Sequence, residues 1–272
     1  MGNIETLKPL VSVIMSVYNA EQWLKIAIDS IVNQTYTNWE FFIIDDASTD
    51  TTQKILTSYT DNRIKVIFRE KQKCPSINLN YAIKLSKGEF IARMDADDIS
   101  MPDRFQTQVD YLMQHKDVAV VAGFIDLMND SGEYTGVWKD DRKATSWPKI
   151  KSMLPWNCCL AHPSVMFRAE VLKQYMYNEE QPHAEDWEMW LRLAADNRKI
   201  EKIPRVLLKY RVHDQSITST SNKKSAFLKK DLFYKLYFKN KHKGWYNFKV
   251  RLGFILNSIK VVLSGIKKKI VS

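Results

Sequence analysis

The sequence predicts an α/β protein with a mostly parallel central sheet flanked by helices, followed by a helical basic tail. First, short apolar segments rich in β-branched residues alternate with segments of helical periodicity through the first 124 residues. Such alternation with short connections is typical of parallel strands joined by crossover helices. Second, acidic side chains directly follow two of these strands, at the edge where such sheets bind ligands. Third, the composition becomes basic and aromatic from residue 222.

Five strands are expected in the alternating region. Each is a short, mostly apolar run, as strands buried on both faces of a sheet require. The strands cover residues 10–17, 39–45, 64–68, 89–94 and 118–124.

Helices are expected between these strands. Their apolar residues recur every three or four positions, which turns one helical face towards the sheet. They cover residues 23–32, 51–59, 75–86 and 102–115, and Ser100 is expected to cap the last of them. A later amphipathic helix is expected to begin at Glu185, and a later strand to cover residues 206–212.

Three acids stand close together after the fourth strand: Asp95, Asp97 and Asp98. Carboxylates crowded at the end of a buried strand resist dehydration and repel one another, so something must offset that cost. Mg²⁺ and Mn²⁺ take oxygen ligands and commonly bridge one or two carboxylates to a diphosphate. The segment therefore predicts a metal-assisted site for a nucleoside diphosphate. The alternative is an acidic surface turn that caps the next helix.

The position of other polar residues favours the binding function. Tyr18 follows the first strand, and Asp45 and Asp46 end the second. Because the carboxyl ends of parallel strands meet at one edge of a sheet, these residues are expected to share a ligand site with Asp95 and Asp97.

An ordered set of motifs runs from about residue 9 to residue 216. The motifs are VIMSVYN at 13–19, IDDASTD at 44–50, NYAI at 80–83, GEFIARMDADD at 88–98, PDRF at 102–105, HPSVMFR at 162–168 and EDWEMWLR at 185–192. This set resembles the family 2 glycosyltransferases, which have the glycosyltransferase-A fold. It is most similar to the non-processive members that assemble bacterial capsule, lipopolysaccharide and exopolysaccharide units.

The resemblance implies a catalytic domain at 1–221, with a donor half at about 9–128 and an acceptor half at about 129–221. It also implies an inverting enzyme that uses Mn²⁺ or Mg²⁺ and moves a sugar from a UDP-sugar to a glycan or lipid-linked acceptor. The Gln-x-x-Arg-Trp motif of processive synthases is absent, which favours the transfer of one sugar per encounter.

The resemblance assigns roles on the donor side. One of Asp45 and Asp46 is the expected uracil contact, with Asp45 favoured. Val17 and Tyr18 are expected to line the base pocket, although ordinary packing at the strand end would also explain Tyr18.

On the metal side, Asp95 is expected to face the ribose or metal-bound water. Asp97 is expected to bind the metal, and Asp98 to support the loop or to cap the next helix. Arg93 is a candidate partner for these acids or for phosphate. His213 is a candidate third metal ligand, with a structural role as the alternative.

The acceptor side centres on Glu185 and Asp186. An attacking hydroxyl needs a general base to take its proton. The resemblance places that base at Asp186, with Glu185 as an orienting partner. Two acids in the first turn of a helix also complement the helix dipole, which is the alternative explanation. His162 is expected to shape the acceptor side. The family's Gly-Gly-Tyr-like stretch is replaced by residues 174–178.

The eight glycines form neither a Gly-x-Gly pattern nor a P-loop, which excludes both glycine-based phosphate motifs. Cys74, Cys158 and Cys159 show no metal-ligand spacing and are expected to be reduced thiols in a cytoplasmic protein.

The tail, residues 222–272, holds 14 Lys and Arg against one acid, while the whole chain carries a net charge of +10. Its aromatic residues and an apolar stripe at helical spacing predict an amphipathic helix on an anionic membrane surface. The stripe consists of Phe248, Leu252, Ile255, Ile259, Val262, Ile266 and Ile270. The expected location is therefore cytoplasmic and peripheral on the inner face of the cell membrane. A helix pair packed on the catalytic domain is the alternative.

Three other functions fit parts of the sequence. A nucleotidyltransferase acting on sugar phosphates would share the acids, but it usually adds a glycine-rich basic loop after the first strand. A non-catalytic carbohydrate-binding or membrane-binding protein would consume no donor. A basic nucleic-acid-binding protein would bind DNA in a salt-sensitive way, but no nucleic-acid motif is present, so no nucleic-acid partner is expected.

Overall fold

The computed structural model describes residues 8–181 and 184–213, and further on 248–249, 251–253, 255–256 and 259. The strands are β1 (Val11–Val17), β2 (Trp39–Asp45), β3 (Ile64–Phe68), β4 (Phe90–Arg93), β5 (Ile99–Ser100), β6 (Val118–Met128), β7 (Tyr134–Val137), β8 (Met166–Arg168) and β9 (Lys199–Arg211). The helices are α1 (Leu24–Val32), α2 (Thr52–Thr57), α3 (Pro75–Leu85), α4 (Arg104–Gln114), α5 (Trp147–Met153), α6 (Ala169–Tyr175) and α7 (Glu185–Ala195). Short 3₁₀ turns cover Asp141–Lys143 and His162–Ser164.

These strands form one sheet in the order β3-β2-β1-β4-β8-β6-β9-β5, with β7 paired to β6. The first four strands pair in parallel, as predicted. β8 lies antiparallel between β4 and β6, and β6 and β9 pair in parallel again. The sheet is therefore mixed in its second half. The short strand β8 has too few residues to show periodicity, so the sequence did not indicate it.

The alternating elements of the first 124 residues are present near their expected ends. Ser100 was expected to cap the fourth helix, but it lies in β5, opposite Leu208 of β9. The helix itself begins at Arg104, with Asp103 at the N-cap position. The last strand begins at Lys199 rather than at residue 206, because its first half pairs along β6.

The two faces of the sheet carry separate hydrophobic clusters. Along β2, Phe42 and Ile44 belong to one cluster, and Phe41 and Ile43 to the other, as the two-residue period of a strand requires. The first cluster includes residues of α3, α6 and α7, and the second includes residues of α1 and α4. The sheet is thus covered on both faces, which leaves its strand ends as the accessible edge.

The domain boundary expected at residue 221 and most of the predicted tail lie outside the described residues. The described residues between 248 and 259 are helical, and we call them the tail helix. Among all described residues, no helix has both the length and the apolar character needed to cross a membrane.

Candidate active site

The loops that follow β1 and β2 are tied to each other by side chains. The N–H of Asn19 donates to Ser48 Oγ at 3.0 Å, and the N–H of Thr49 donates to Asn19 Oδ1 at 2.9 Å. Asn19 and Ala47 have positive φ angles of 48° and 62°, which non-glycine residues adopt only where surrounding contacts hold them. These contacts fix the positions of the two strand ends that bear Tyr18 and the Asp45–Asp46 pair.

Asp45 and Asp46 differ in what their carboxylates contact. Asp45 is fully buried, and its Oδ2 accepts from Gln53 Nε2 at 2.9 Å and more weakly from the N–H of Ser48 at 3.3 Å. Its Oδ1 is buried with no hydrogen-bond partner among the described residues. Asp46 Oδ1 accepts from the N–H of Lys73 at 2.8 Å. A buried acceptor without a partner costs free energy, so Asp45 is suited to receive a ligand N–H.

The two residues at the end of β1 are exposed to very different degrees. Val17 is buried in the hydrophobic cluster beneath the loop, and its carbonyl accepts from the N–H of Asp46 at 2.8 Å. Tyr18 is 44% exposed. Its ring is therefore free to stack on a flat ligand, whereas Val17 can only form part of the floor.

The structure brings Asp95, Asp97 and Asp98 together, with one oxygen of each within 4.8 Å of the others. Asp95 pairs with Arg93, and Asp97 Oδ2 lies 2.9 Å from His213 Nε2. Asp98 Oδ1 accepts from the N–H of Arg211 at 2.9 Å, while its Oδ2 is buried without a partner among the described residues. Three carboxylate oxygens so close together, with a buried and unpartnered oxygen on Asp98, fit a hard divalent cation.

Burial raises the pKa of Asp95, and it raises the pKa of Asp98 well above its usual range, with the charge of Asp97 adding to both effects. A cation between the carboxylates would remove this repulsion. Asp98 therefore both supports the loop, as expected, and offers a further oxygen beyond the predicted ligand set.

Arg211 and Trp23 hold the acidic loop in place, and the sequence did not single them out. Arg211 Nε donates to the carbonyl of Asp97 at 2.8 Å, and its Nη1 donates to the carbonyl of Asp130 at 2.8 Å. Trp23 Nε1 donates to the same Asp130 carbonyl at 3.1 Å, and its ring centroid lies 4.3 Å from that of His213. The position of Arg211, two residues before the candidate ligand His213, is the feature of the sequence that could have indicated its role.

Glu185 and Asp186 begin α7, directly after Ala184, whose φ angle is 56°. Burial raises the pKa of Asp186 to about 6, although the N–H of Trp187 opposes this shift. Burial and the charge of Asp186 raise the pKa of Glu185. A carboxylate that meets the dipole of an exposed helix end would have a lowered pKa. The raised pKa of Asp186 therefore suits proton transfer near neutral pH.

The charge of Arg93 acts on acids of both groups. It is buried, and although burial lowers its pKa, the charge of Asp95 raises the pKa of Arg93 overall. Its charge also lowers the pKa of both Glu185 and Asp186, and the charge of Asp95 raises both. The acids after β4 and the acids of α7 are therefore close enough to influence each other's ionisation.

His162 and the segment at 174–178 form a wall beside these acids. His162 Nε2 lies 2.6 Å from the hydroxyl of Tyr177, whose N–H donates to Asn80 Oδ1 at 2.8 Å. Burial lowers the pKa of His162 well below its usual range, so its ring is neutral at pH 7. The segment that departs from the family pattern is thus anchored through Tyr177 to α3.

Residues 12–176 match the family profile described as Glycosyl transferase family 2, which is more than half of the chain. The O-antigen biosynthesis glycosyltransferase WbnJ of Escherichia coli is 38% identical over 213 residues, 76% of this chain and 81% of WbnJ. A second E. coli protein, UDP-Glc:alpha-D-GlcNAc-diphosphoundecaprenol beta-1,3-glucosyltransferase WfgD, is 30% identical over 215 residues, 79% of this chain and 81% of WfgD.

Two solved structures are similar in fold. S. aureus TarS 1-349 in complex with UDP-GlcNAc superposes with a TM-score of 0.70 at 21% identity, covering 90% of this chain and 71% of that chain. The mannosyltransferase PcManGT of Pyrobaculum calidifontis, in complex with GDP-Man and Mn²⁺, superposes with a TM-score of 0.66 at 15% identity, covering 97% of this chain and 81% of that chain. These likenesses confirm the predicted family resemblance and the predicted fold class.

Proposed function

Because the chain belongs to glycosyl transferase family 2, we propose that it is an inverting, non-processive enzyme that moves one sugar from a UDP-sugar to an acceptor hydroxyl. The acceptor is a glycan or a lipid-linked sugar, and the product is part of a bacterial cell-surface polysaccharide. The names of the relatives support this proposal, since one acts in O-antigen biosynthesis and another uses UDP-Glc and a diphosphoundecaprenol-linked sugar.

The nucleotide binds across the carboxyl ends of β1, β2 and β4. The uracil N–H donates to the unpartnered Oδ1 of Asp45, and the exposed ring of Tyr18 stacks on the base. Asp46 is already bonded to the N–H of Lys73 and serves to hold the loop. This assignment gives the two adjacent acids different roles and keeps the preference for Asp45 that the sequence suggested.

The diphosphate lies at the acids after β4. Asp95, Asp97 and Asp98 are the residues that hold a divalent cation, with His213 beside Asp97. Mn²⁺ or Mg²⁺ bound there supplies positive charge against the leaving UDP. Arg93 neutralises Asp95 from the buried side and keeps its carboxylate in place.

Asp186 takes the proton of the attacking hydroxyl. The hydroxyl oxygen forms a bond to the anomeric carbon while the bond to the UDP oxygen breaks, which inverts the configuration. Carboxylates can accept this proton only when ionised, and the pKa of Asp186 at about 6 leaves it ionised yet basic at pH 7 to 8. Glu185 is its neighbour, and the charge of Asp186 raises the pKa of Glu185.

One observation supports this function above the others: Asp95, one of three carboxylates that can hold a metal, is close enough to Asp186 for its charge to raise the pKa of that carboxyl group. A transferase needs both groups in reach of a single anomeric carbon. A protein that only binds sugar or lipid needs neither.

The decisive experiment is a panel of nucleotide sugars incubated with the full chain, with and without Mn²⁺, while nucleoside diphosphate release is measured. We expect metal-dependent UDP release from at least one UDP-sugar. Pyrophosphate release from a nucleoside triphosphate and a sugar phosphate would instead identify a nucleotidyltransferase. No consumption of any donor would contradict the proposal.

A further inference from the structure

The tail helix touches the catalytic domain at one glycine. Gly253 is buried against the loop that follows α5, and a Cβ atom at this position would overlap the carbonyl oxygen of Pro155. The same Cβ atom would lie 3.2 Å from Cε3 of Trp156. The close approach therefore requires a residue without a side chain. This contact fixes where one turn of the tail helix sits.

The loop that receives the tail helix borders the proposed base. Leu154, which precedes Pro155, accepts a hydrogen bond from Trp187 Nε1 at 2.8 Å, and Trp187 directly follows Asp186. Cys158, on the same loop, is close enough that the charge of Asp186 adds to the effect of burial in raising its pKa. The tail helix is thus docked beside the acceptor end of the active site and not beside the nucleotide end.

The tail helix leaves a row of apolar side chains exposed. These side chains are between 37% and 50% exposed, and they are Phe248, Leu252, Ile255, Leu256 and Ile259. Trp156, on the receiving loop, is also exposed. Contiguous exposed apolar side chains indicate an interaction surface.

The charge around this row identifies its partner. The tail carries 14 Lys and Arg and a single acid, and Arg251 is exposed within the tail helix itself. Lys149, on the solvent side of α5, adds a positive charge next to the receiving loop. Basic side chains flanking an apolar face complement an anionic lipid surface, where the charges meet headgroups and the apolar face enters the boundary layer.

We propose that the exposed face of the tail helix and Trp156 form one membrane-facing surface, and that Gly253 docks the tail so that the acceptor end of the site faces the anionic lipid headgroups. Only the statement that this end receives the acceptor rests on the proposed function.

Hydrogen–deuterium exchange of the full chain tests the surface without nucleotide or acceptor, so its outcome is independent of whether the proposed reaction occurs. We expect vesicles of phosphatidylglycerol and phosphatidylcholine to slow exchange in peptides covering 147–157 and 248–259, and not in peptides covering 52–68. Vesicles of phosphatidylcholine alone should leave exchange unchanged. Equal protection by neutral vesicles, or protection of 52–68 instead, would overturn the proposed surface.

A double variant, I255D and I259D, tests the apolar face. We expect its partition onto anionic vesicles to fall by about tenfold or more, because two half-exposed isoleucines no longer enter the lipid. The matched control is I26D, which replaces an equally exposed isoleucine on α1 and should bind vesicles normally. An unchanged partition of the double variant would overturn the role of the face.

Gly253→Leu tests the docking of the tail helix on the catalytic domain separately from the binding of the tail to vesicles. The added side chain cannot fit against Pro155, so the tail should still bind anionic vesicles while the vesicle-induced protection of 147–157 disappears. Leu256→Phe adds bulk to an exposed position of the same helix and should leave both signals intact. Persistent protection of 147–157 in Gly253→Leu would show that the tail contact does not orient the domain.

Discussion

The acids after β4 and the acids at the start of α7 are all partly or fully buried, yet their surroundings differ. Asp95 and Asp97 each have a basic partner, Arg93 and His213, and three carboxylates crowd into one small volume. Among the described residues, no ion pair joins Glu185 or Asp186 to a basic side chain. In the first group, close carboxylates raise one another's pKa and a cation would offset that repulsion, whereas in the second group burial raises the pKa of carboxyl groups that have no such cluster around them.

This difference separates two chemical roles that composition alone cannot distinguish. Three carboxylates whose oxygens lie within 4.8 Å of one another are suited to a cation, which would offset their mutual repulsion. A carboxyl group with a raised pKa is suited to accept a proton at neutral pH. A substitution in the first group should thus weaken metal-dependent UDP binding, and a substitution in the second should slow turnover.

The largest effect should come from Asp97→Ala. Loss of a carboxylate at the centre of the acidic group should abolish the Mn²⁺-dependent part of UDP binding, measured by titration calorimetry with and without the ion. Asp117→Ala, which removes an exposed carboxylate at the start of β6, is the control. Metal-dependent UDP affinity that survives in Asp97→Ala would place the ion elsewhere.

Asp186→Asn should sharpen the contrast, because it keeps the shape of the side chain and removes its basicity. Turnover should fall by roughly 10² to 10⁴, the usual contribution of a positioned general base. UDP affinity should change little, since the base contacts the acceptor. Asp196→Asn, at the other end of α7, serves as the control. Near-normal turnover in Asp186→Asn would leave these acids with only the helix-dipole role.

The pH dependence should separate the same two groups in the unmodified enzyme. Because the base must be ionised and the pKa of Asp186 is about 6, turnover should fall about tenfold for each unit as the pH drops below that value. Turnover measured from pH 5 to 8 at saturating donor and metal tests this pH dependence. A rate that stays level down to pH 5 would contradict Asp186 as the base.

The smallest effect concerns stability. A carboxyl pKa raised by folding means that the native state binds the proton more tightly than the unfolded chain, so stability falls as the pH rises from the unfolded pKa near 3.8 to about 6 and stays lower above it. Asp186→Asn should therefore raise the unfolding free energy at pH 8 by on the order of 1 kcal/mol. The gain should shrink towards pH 4, as native Asp186 becomes protonated. Urea unfolding at both pH values checks the sign.

Local patterns predicted much of this molecule. Continuous apolar runs located β1 to β4, and the alternation with helices placed Tyr18, Asp45 and Asp95 at one edge of a parallel sheet. These features follow from periodicity and from which residues can be buried, and both are readable over a few neighbouring positions. The stripe of the tail helix was visible in the same way.

Contacts between distant segments decided the rest. Only the folded chain distinguishes Asp45, with its unpartnered oxygen, from Asp46, and only it brings Arg211 to the carbonyl of Asp97 across 114 positions of sequence. The sequence by itself determined the parallel first half of the sheet, the acid motifs and the apolar stripe of the tail, because each is a pattern among neighbouring residues. The raised pKa of Asp186 and the docking of Gly253 on Pro155 depend on burial between remote segments, which no local pattern records.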